Sequence, residues 1–321
     1  MTDRPSTTIS AVIAAYQAER FIAETLESVL GQTRPPDEVV VVDDGSWDGT
    51  ARELQRFADR IRVIRQPNGG YQNAINRAIR EARCEFVALC GADDLWEPRK
   101  LEYQEQAILA HPEADLFCGH FESFGDFAAV GGQRPVTVRP PGEGVLDSSE
   151  LLDVLFRQDV IGTAFIAIRR DLFDRLGPFL EDCKVEDYDF WFKCLEAGAR
   201  FYYDPRLLGR HRRHDANLTN DLIGLYTAKN QVRQRYAHLL DNKRVLRETM
   251  AADYFRVGRL LVDEGRPDEA RKAFRQAVAS AGPTFAGTAR ALGWLGILAL
   301  PERSREQSAT ALIRVSRALS R

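Results

Sequence analysis

The chain contains no stretch of 18 consecutive apolar residues, so no segment reads as a bilayer-spanning helix. Residues 1–10 are polar and the apolar segment 9–15 is too short for the core of a secretory leader. Its five cysteines (Cys84, Cys90, Cys118, Cys183 and Cys194) include no Cys-x-x-Cys spacing, which argues against a thiolate metal cluster. An odd count without a leader fits free thiols in a reducing compartment, and the expectation is a cytoplasmic, soluble protein. A net charge of −3 lacks the basic excess of a nucleic-acid-binding surface. No Gly-x-Gly-x-x-Gly follows a strand, which removes dinucleotide-dependent oxidoreductases, and residues 14–20 lack the glycine-rich basic loop that a nucleotidyltransferase needs.

What is present is an ordinary globular composition, 44% hydrophobic and 28% charged over 321 residues, enough for one large domain and a smaller one. Only six of the 44 cationic residues are lysines, a bias that suits anionic ligands. Residues 8–15, 38–42, 61–65 and 85–89 read as short, largely apolar strands. Helical spacing over 18–30, 50–59 and 71–81 separates them. This βαβαβαβ series predicts an α/β fold, a mostly parallel sheet covered by helices on both faces.

Beyond Pro112 the rhythm weakens. Gly131, Gly132, Pro135, Pro140, Pro141, Gly142 and Gly144 mark a long loop within 127–147. A helix follows near 149–156, an apolar strand at 163–168, a helix from about Glu186 and a closing strand at 200–203. After about Asp221 the chain reads as almost wholly helical. Domains are therefore expected at 1–220 and 221–321. Within the second, Tyr254, Gly258, Leu261, Gly265, Ala270, Phe274 and Ala277 are spaced like one tetratricopeptide repeat, a hairpin near 251–281. One such unit needs packed neighbours, and the expectation is a helical hairpin on the main domain or on a second protomer. Residues 291–300 are apolar, and Arg303, Arg305, Arg314, Arg317 and Arg321 follow in a basic tail over 302–321. A buried helix with a solvated tail and peripheral contact with an anionic membrane are the two readings of that segment.

Three acidic sites carry the chemistry. Asp43 and Asp44 end the strand 38–42, Asp93 and Asp94 follow the strand 85–89, and Glu186, Asp187 and Asp189 open a helix. Each pair alone is equally a helix cap or a surface turn. Ligands of open α/β sheets bind outside the carboxyl ends of the strands, and parallel strands would bring the first two pairs to one edge. Carboxylates without neighbouring Cys or His suit Mg²⁺ or Mn²⁺ shared with substrate phosphates. The third site, an acid beside a second acid and aromatic rings, suits a general base.

These residues resemble family 2 glycosyltransferases, inverting enzymes of the GT-A (Rossmann-like nucleotide-binding) fold, over about residues 7–220. Residues 13–17 are similar to the family's opening Pro-x-Tyr-Asn turn, with Ala14 and Gln17 as departures. Residues 42–46 match its nucleotide-binding motif, and Asn68, Gly69, Gly70, Ala74 and Asn76 its Asn-x-Gly segment. Residues 92–96 align with a metal motif that usually reads Asp-x-Asp-Asp, Gly91 standing in place of the first Asp. Residues 186–191 resemble the Glu-Asp motif and 212–214 the Arg-x-His that follows it.

The resemblance implies transfer of a sugar from a nucleotide-diphosphate sugar to a glycan or lipid-linked acceptor hydroxyl in polysaccharide or glycoconjugate biosynthesis. UDP is the expected nucleotide, with GDP or dTDP as alternatives. Tyr16 would stack on the base, Asp43 and Asp44 would bind base and ribose, and Asn68, Gly70 and Ala92 would complete the nucleotide site. Asp93 would ligate Mg²⁺ or Mn²⁺, with His214 assisting, and Asp187 would be the general base. Asp94, Glu186 and Arg212 would face donor or acceptor, Arg212 closing over the diphosphate. Trp96 and Trp191 either stack on sugar rings or pack in the core. Gly91 also admits a non-catalytic sugar-nucleotide or protein-binding module, with the helical tail as an interaction or dimer platform.

Overall fold

The structure is a computed structural model describing residues 7–127, 139–140, 142–281 and 286–300. It comprises two compact units, divided between Asn220 and Asp221. The first is built on one nine-stranded sheet in the order β3-β2-β1-β4-β8-β6-β9-β5, with β7 beside β9. The strands are β1 (Ile9–Ala15), β2 (Glu38–Asp43), β3 (Arg62–Arg65), β4 (Phe86–Gly91), β5 (Leu95–Trp96), β6 (Leu116–Gly125), β7 (Gly144–Val145), β8 (Ala167–Arg169) and β9 (Phe201–Arg213). β1–β4 are parallel, as are β6 and β9, whereas β5, β7 and β8 run against their neighbours. The mostly parallel GT-A sheet expected of the chain is therefore present.

The β-branched runs form central strands because both faces are covered. Every residue of β1 is buried. Ile9, Ala11 and Ile13 share one core with Val39, Val41, Phe86, Ala88 and with Ile22, Leu26 and Val29 of α1 (Ile22–Leu30). By alternation Val12, Val40 and Val42 point to the opposite face, on which α3 (Tyr71–Glu81) packs. Each buried valine of this kind contributes roughly 1.5–3 kcal/mol. Between these lies α2 (Thr50–Gln55), and α4 (Lys100–Ala110) follows β5.

Several boundaries differ from expectation. α1 begins at Ile22 and not Ala18, because residues 18–21 form a turn held by Thr50 Oγ1 on the Ala18 amide at 2.8 Å. The strand expected over 163–168 is a 3-10 turn at Thr163–Phe165 followed by β8. The strand expected at 200–203 extends ten residues further, to Arg213. The helices α5 (Ser148–Arg157), α6 (Asp171–Leu176) and α7 (Glu186–Glu196) complete the unit. Much of the loop within 127–147, including Gly131, Gly132 and Pro135, lies outside the described residues, as does the basic tail 302–321.

The second unit contains α8 (Leu222–Arg235), α9 (Arg244–Asp263), α10 (Pro267–Ser280) and α11 (Ala286–Ala299). α9 and α10 form a helical hairpin whose Val257, Leu261, Ala270 and Phe274 share a core with Ala291, Trp294 and Leu298 of α11. The apolar segment near 291–300 thus buries one face within its own unit. No helix among the described residues is long and apolar enough to cross a membrane.

Candidate active site

The register of the parallel strands assembles the site. Ala15 pairs with Asp43, Asp43 with Arg65 and Ala14 with Gly91, so the four segments that follow β1, β2, β3 and β4 leave the sheet along one edge. The first carries Tyr16, which is 48% exposed, on a turn whose next residue, Gln17, has φ +52°. That left-handed backbone is held by Ser46 Oγ, which accepts from the Gln17 amide at 3.1 Å, and by Gln17 Oε1, which accepts from the Asp48 amide at 3.3 Å.

Asp43 is buried, with Oδ1 accepting from the Ser46 amide at 3.0 Å and Arg65 Nε 3.5 Å from Oδ2. Asp44 is equally buried and heavily occupied. Its Oδ1 accepts from Gln66 Nε2 at 2.8 Å and the Gly69 amide at 2.9 Å, and its Oδ2 accepts from the Gly70 amide at 2.9 Å. Gly45 makes this possible: it has φ +74°, and a Cβ there would sit 2.8 Å from the Asn68 amide nitrogen. Asp44 therefore holds the loop 66–70, leaving Asn68 exposed and Gly70 as the cap of α3.

The segment after β4 carries Ala92, Asp93 and Asp94, pinned from below by Thr25 Oγ1, which reaches the Asp94 and Ala92 carbonyls at 2.9 and 3.1 Å. β5 begins immediately afterwards and pairs Leu95 with Arg210 and Trp96 with Gly209. This short pairing brings the end of β9 onto the acids. His211 Nδ1 and the Arg212 amide both lie 2.9 Å from Asp94 Oδ1, and His214 Nε2 lies 2.8 Å from Asp93 Oδ2. Asn217 Nδ2 adds a bond to the same Asp93 oxygen at 3.2 Å. Burial and the charge of Asp94 raise the Asp93 pKa. Burial works against protonation of His211, but the charge and hydrogen bond of Asp94 prevail and raise its pKa.

Gly91 is explained by the same geometry. A Cβ at this position would lie 2.6 Å from Asp94 Oδ2 and 2.9 Å from Asp93 Oδ1, so the two carboxylates occupy the space of a side chain. Among the described residues no group of three His, Cys, Asp or Glu gathers as a metal centre. Asp93 and His214 together offer one carboxylate and one imidazole, an incomplete set that would need phosphate and water oxygens to hold a Mg²⁺ or Mn²⁺ ion, and the histidines on Asp93 and Asp94 depart from the all-carboxylate setting expected from the sequence.

The third site sits at the start of α7. Glu186 is buried, its Oε2 accepting from Gln72 Nε2 at 3.0 Å. Burial and the charge of Asp187 push its pKa up to about 8. Asp187 is half-buried, Oδ2 accepting from Thr163 Oγ1 and Oδ1 from the Tyr188 amide.

Three of the side chains expected at the site are otherwise engaged. Trp191 is fully buried and packs on Phe190 and Phe201. Trp96 is 3% exposed, donates to the Ala164 carbonyl at 2.9 Å and lies under the buried Lys100 ammonium, 3.8 Å from its ring centroid. Both tryptophans are buried in the core here, as the packing alternative has it. Arg212 spans Glu24 at 2.5 Å and the Asp93 carbonyl at 2.8 Å, its guanidinium over Phe21 and Phe124. It is a strut in this arrangement and not an open phosphate clamp. His211, Gln72, Thr163 and Asn217 are contributors without a sequence signal of their own.

Known proteins agree with this architecture. The family model described as glycosyl transferase family 2 matches residues 10–177. An uncharacterized glycosyltransferase of Rickettsia typhi is 31% identical over 232 residues, 70% of this chain and 68% of its own. The crystal structure of S. aureus TarS 1–349 in complex with UDP-GlcNAc superposes with a TM-score of 0.66 at 18% identity, over 97% of this chain and 92% of that one. The mannosyltransferase PcManGT from Pyrobaculum calidifontis, in complex with GDP-Man and Mn²⁺, gives 0.56 at 21% identity, over 96% and 86%. Since the matched segment covers more than half of the chain and includes both Asp43–Asp44 and Asp93–Asp94, the chain belongs to glycosyl transferase family 2.

Proposed function

We propose that this glycosyltransferase uses Asp187 as the general base of an inverting transfer from a nucleoside-diphosphate sugar. The Asp187 carboxylate takes the proton of an acceptor hydroxyl while that oxygen bonds to the anomeric carbon. On the opposite face the bond from that carbon to the diphosphate oxygen breaks, and its electron pair leaves with the nucleoside diphosphate. The observation that carries this reading is the unequal pair at α7. Burial and the neighbouring charge raise Glu186 to about 8, whereas Asp187 is half-buried and its carboxylate is oriented by Thr163.

Asp43, with Tyr16 beside it, would read the base, and Asp44 would act through the loop 66–70 that it holds. Asp93 and His214 would hold Mg²⁺ or Mn²⁺, which when bound offsets charge on the diphosphate. The TarS and PcManGT complexes, with UDP-GlcNAc and with GDP-Man and Mn²⁺, support a nucleotide-sugar donor and a divalent ion. A UDP sugar is the first expectation and a glycan or lipid-linked hydroxyl the acceptor.

Thermal-shift screening against UDP-, GDP- and dTDP-sugars, followed by donor hydrolysis in Mn²⁺ and in EDTA, tests the assignment. Turnover should be lost in Asp187→Asn with donor binding retained. Equal turnover in wild type and Asp187→Asn would refute the base.

A further inference from the structure

Tyr71 opens α3 directly after the loop held by Asp44. Its half-buried phenol stands within the electrostatic reach of four carboxylates, Glu186, Asp187, Asp94 and Asp93. The residue before it, Gly70, donates to Asp44 and the residue after it, Gln72, donates to Glu186, so Tyr71 stands between the loop beside the β2 end and the start of α7. In the transfer proposed above, the transferred sugar would sit between the diphosphate and the base. Buried and half-buried tyrosine hydroxyls usually find a partner. Among the described residues none hydrogen-bonds this one, although Gln72, the next residue, is fully engaged with Glu186 and the Cys183 carbonyl at 3.0 and 3.1 Å.

We propose that the Tyr71 hydroxyl donates a hydrogen bond to an oxygen of the transferred sugar, which makes it a substrate-contacting residue. The inference rests on the transferase reading of the site. Burial and the surrounding acids push the phenol pKa well above its ordinary value, so the group keeps its proton across the working range. It is thus a hydrogen-bond donor without a protein acceptor among the described residues, and its complement is a hydroxyl, ring or amide oxygen of the sugar.

Tyr71→Phe keeps the ring and removes only the donor. Calorimetry in Mn²⁺ with UDP, UDP-glucose and UDP-N-acetylglucosamine, and with GDP and GDP-mannose, separates nucleotide from sugar binding. The variant should bind UDP or GDP as wild type does and lose about fivefold to tenfold in affinity for the matching nucleotide sugar. Equal losses for nucleotide and nucleotide sugar would assign the tyrosine to the loop, and no loss for either would leave it without a contact; both results overturn the proposal. Wild-type protein that binds none of these compounds, and neither dTDP nor dTDP-glucose, would instead refute the donor assignment itself, and this inference with it.

Discussion

His214 Nε2 and Asp93 Oδ2 lie 2.8 Å apart although 121 residues separate them in the chain. Under the proposed function, this carboxylate and imidazole, brought together by strand pairing, would be the two protein ligands of a divalent ion. His214→Ala should raise the Mn²⁺ concentration for half-maximal donor turnover about tenfold or more, a loss comparable to that of ligand-supporting residues in other metal sites. Asn217→Ala, which removes only the bond to the same oxygen, should cost less. An unchanged Mn²⁺ titration in His214→Ala would place the ion elsewhere.

Gly91→Ala tests the packing of the two acids. Its methyl group would meet Asp94 Oδ2 at 2.6 Å, and Asp94 is buried and fastened by His211 and the Arg212 amide. Overpacking of this kind costs roughly 1–3 kcal/mol, read as a lowered denaturant midpoint. Donor turnover should fall by more than the stability loss explains, since Asp93 must shift as well. A variant with wild-type turnover and stability would show that the acids relax freely.

The Glu186 carboxyl gives a pH signature of known sign. Its pKa of about 8 in the folded state exceeds the 4.5 of an unperturbed Glu. Below pH 4.5 both states are protonated and the advantage of the folded state is complete. Between 4.5 and 8 the unfolded chain gives up a proton that the folded chain keeps, so stability falls as pH rises. Glu186→Gln should flatten the decline in Tm between pH 5 and 8. A parallel decline in both proteins would assign the pH dependence to other groups.

Asp44→Ala removes three hydrogen bonds and leaves the Gly69 and Gly70 amides without their acceptor. Gly69 is exposed and Gly70 half-buried, so water can replace the acceptor and the cost is that of the lost bonds to a charged group, about 1.5–3 kcal/mol each. The loop 66–70 would loosen, and KM for the donor should rise more than kcat falls. A change confined to kcat would argue against a positioning role.

The strands β1, β2 and β4 were legible because burial on both faces writes them as unbroken apolar runs, and their acids stand where those runs stop. β6 and β9 were not. Past Gly119, β6 carries half-exposed polar and aromatic residues, and its pairing with β9 shifts register on either side of His120. The run 163–168 misled because its apolar side chains serve a turn, Phe165 entering the core while Thr163 turns to Asp187. His211 carried no local signal at all: its partner Asp94 is 117 residues away and meets it only through the two-residue β5. The tryptophans were ambiguous in principle, because apolar size looks the same whether it meets a sugar or a phenylalanine. Residues placed by local chain rules could be read, and those placed by strand pairing could not.

The close approach of Gly91 to Asp94 also ties positions 91, 94 and 211 into one epistatic unit. An aspartate introduced at 91, as the resembling motif would have it, meets a carboxylate already committed to His211 and has no room to restore anything. Only a joint change at 91 and 94 allows the acid to move across, so single and double substitutions here should depart strongly from additivity.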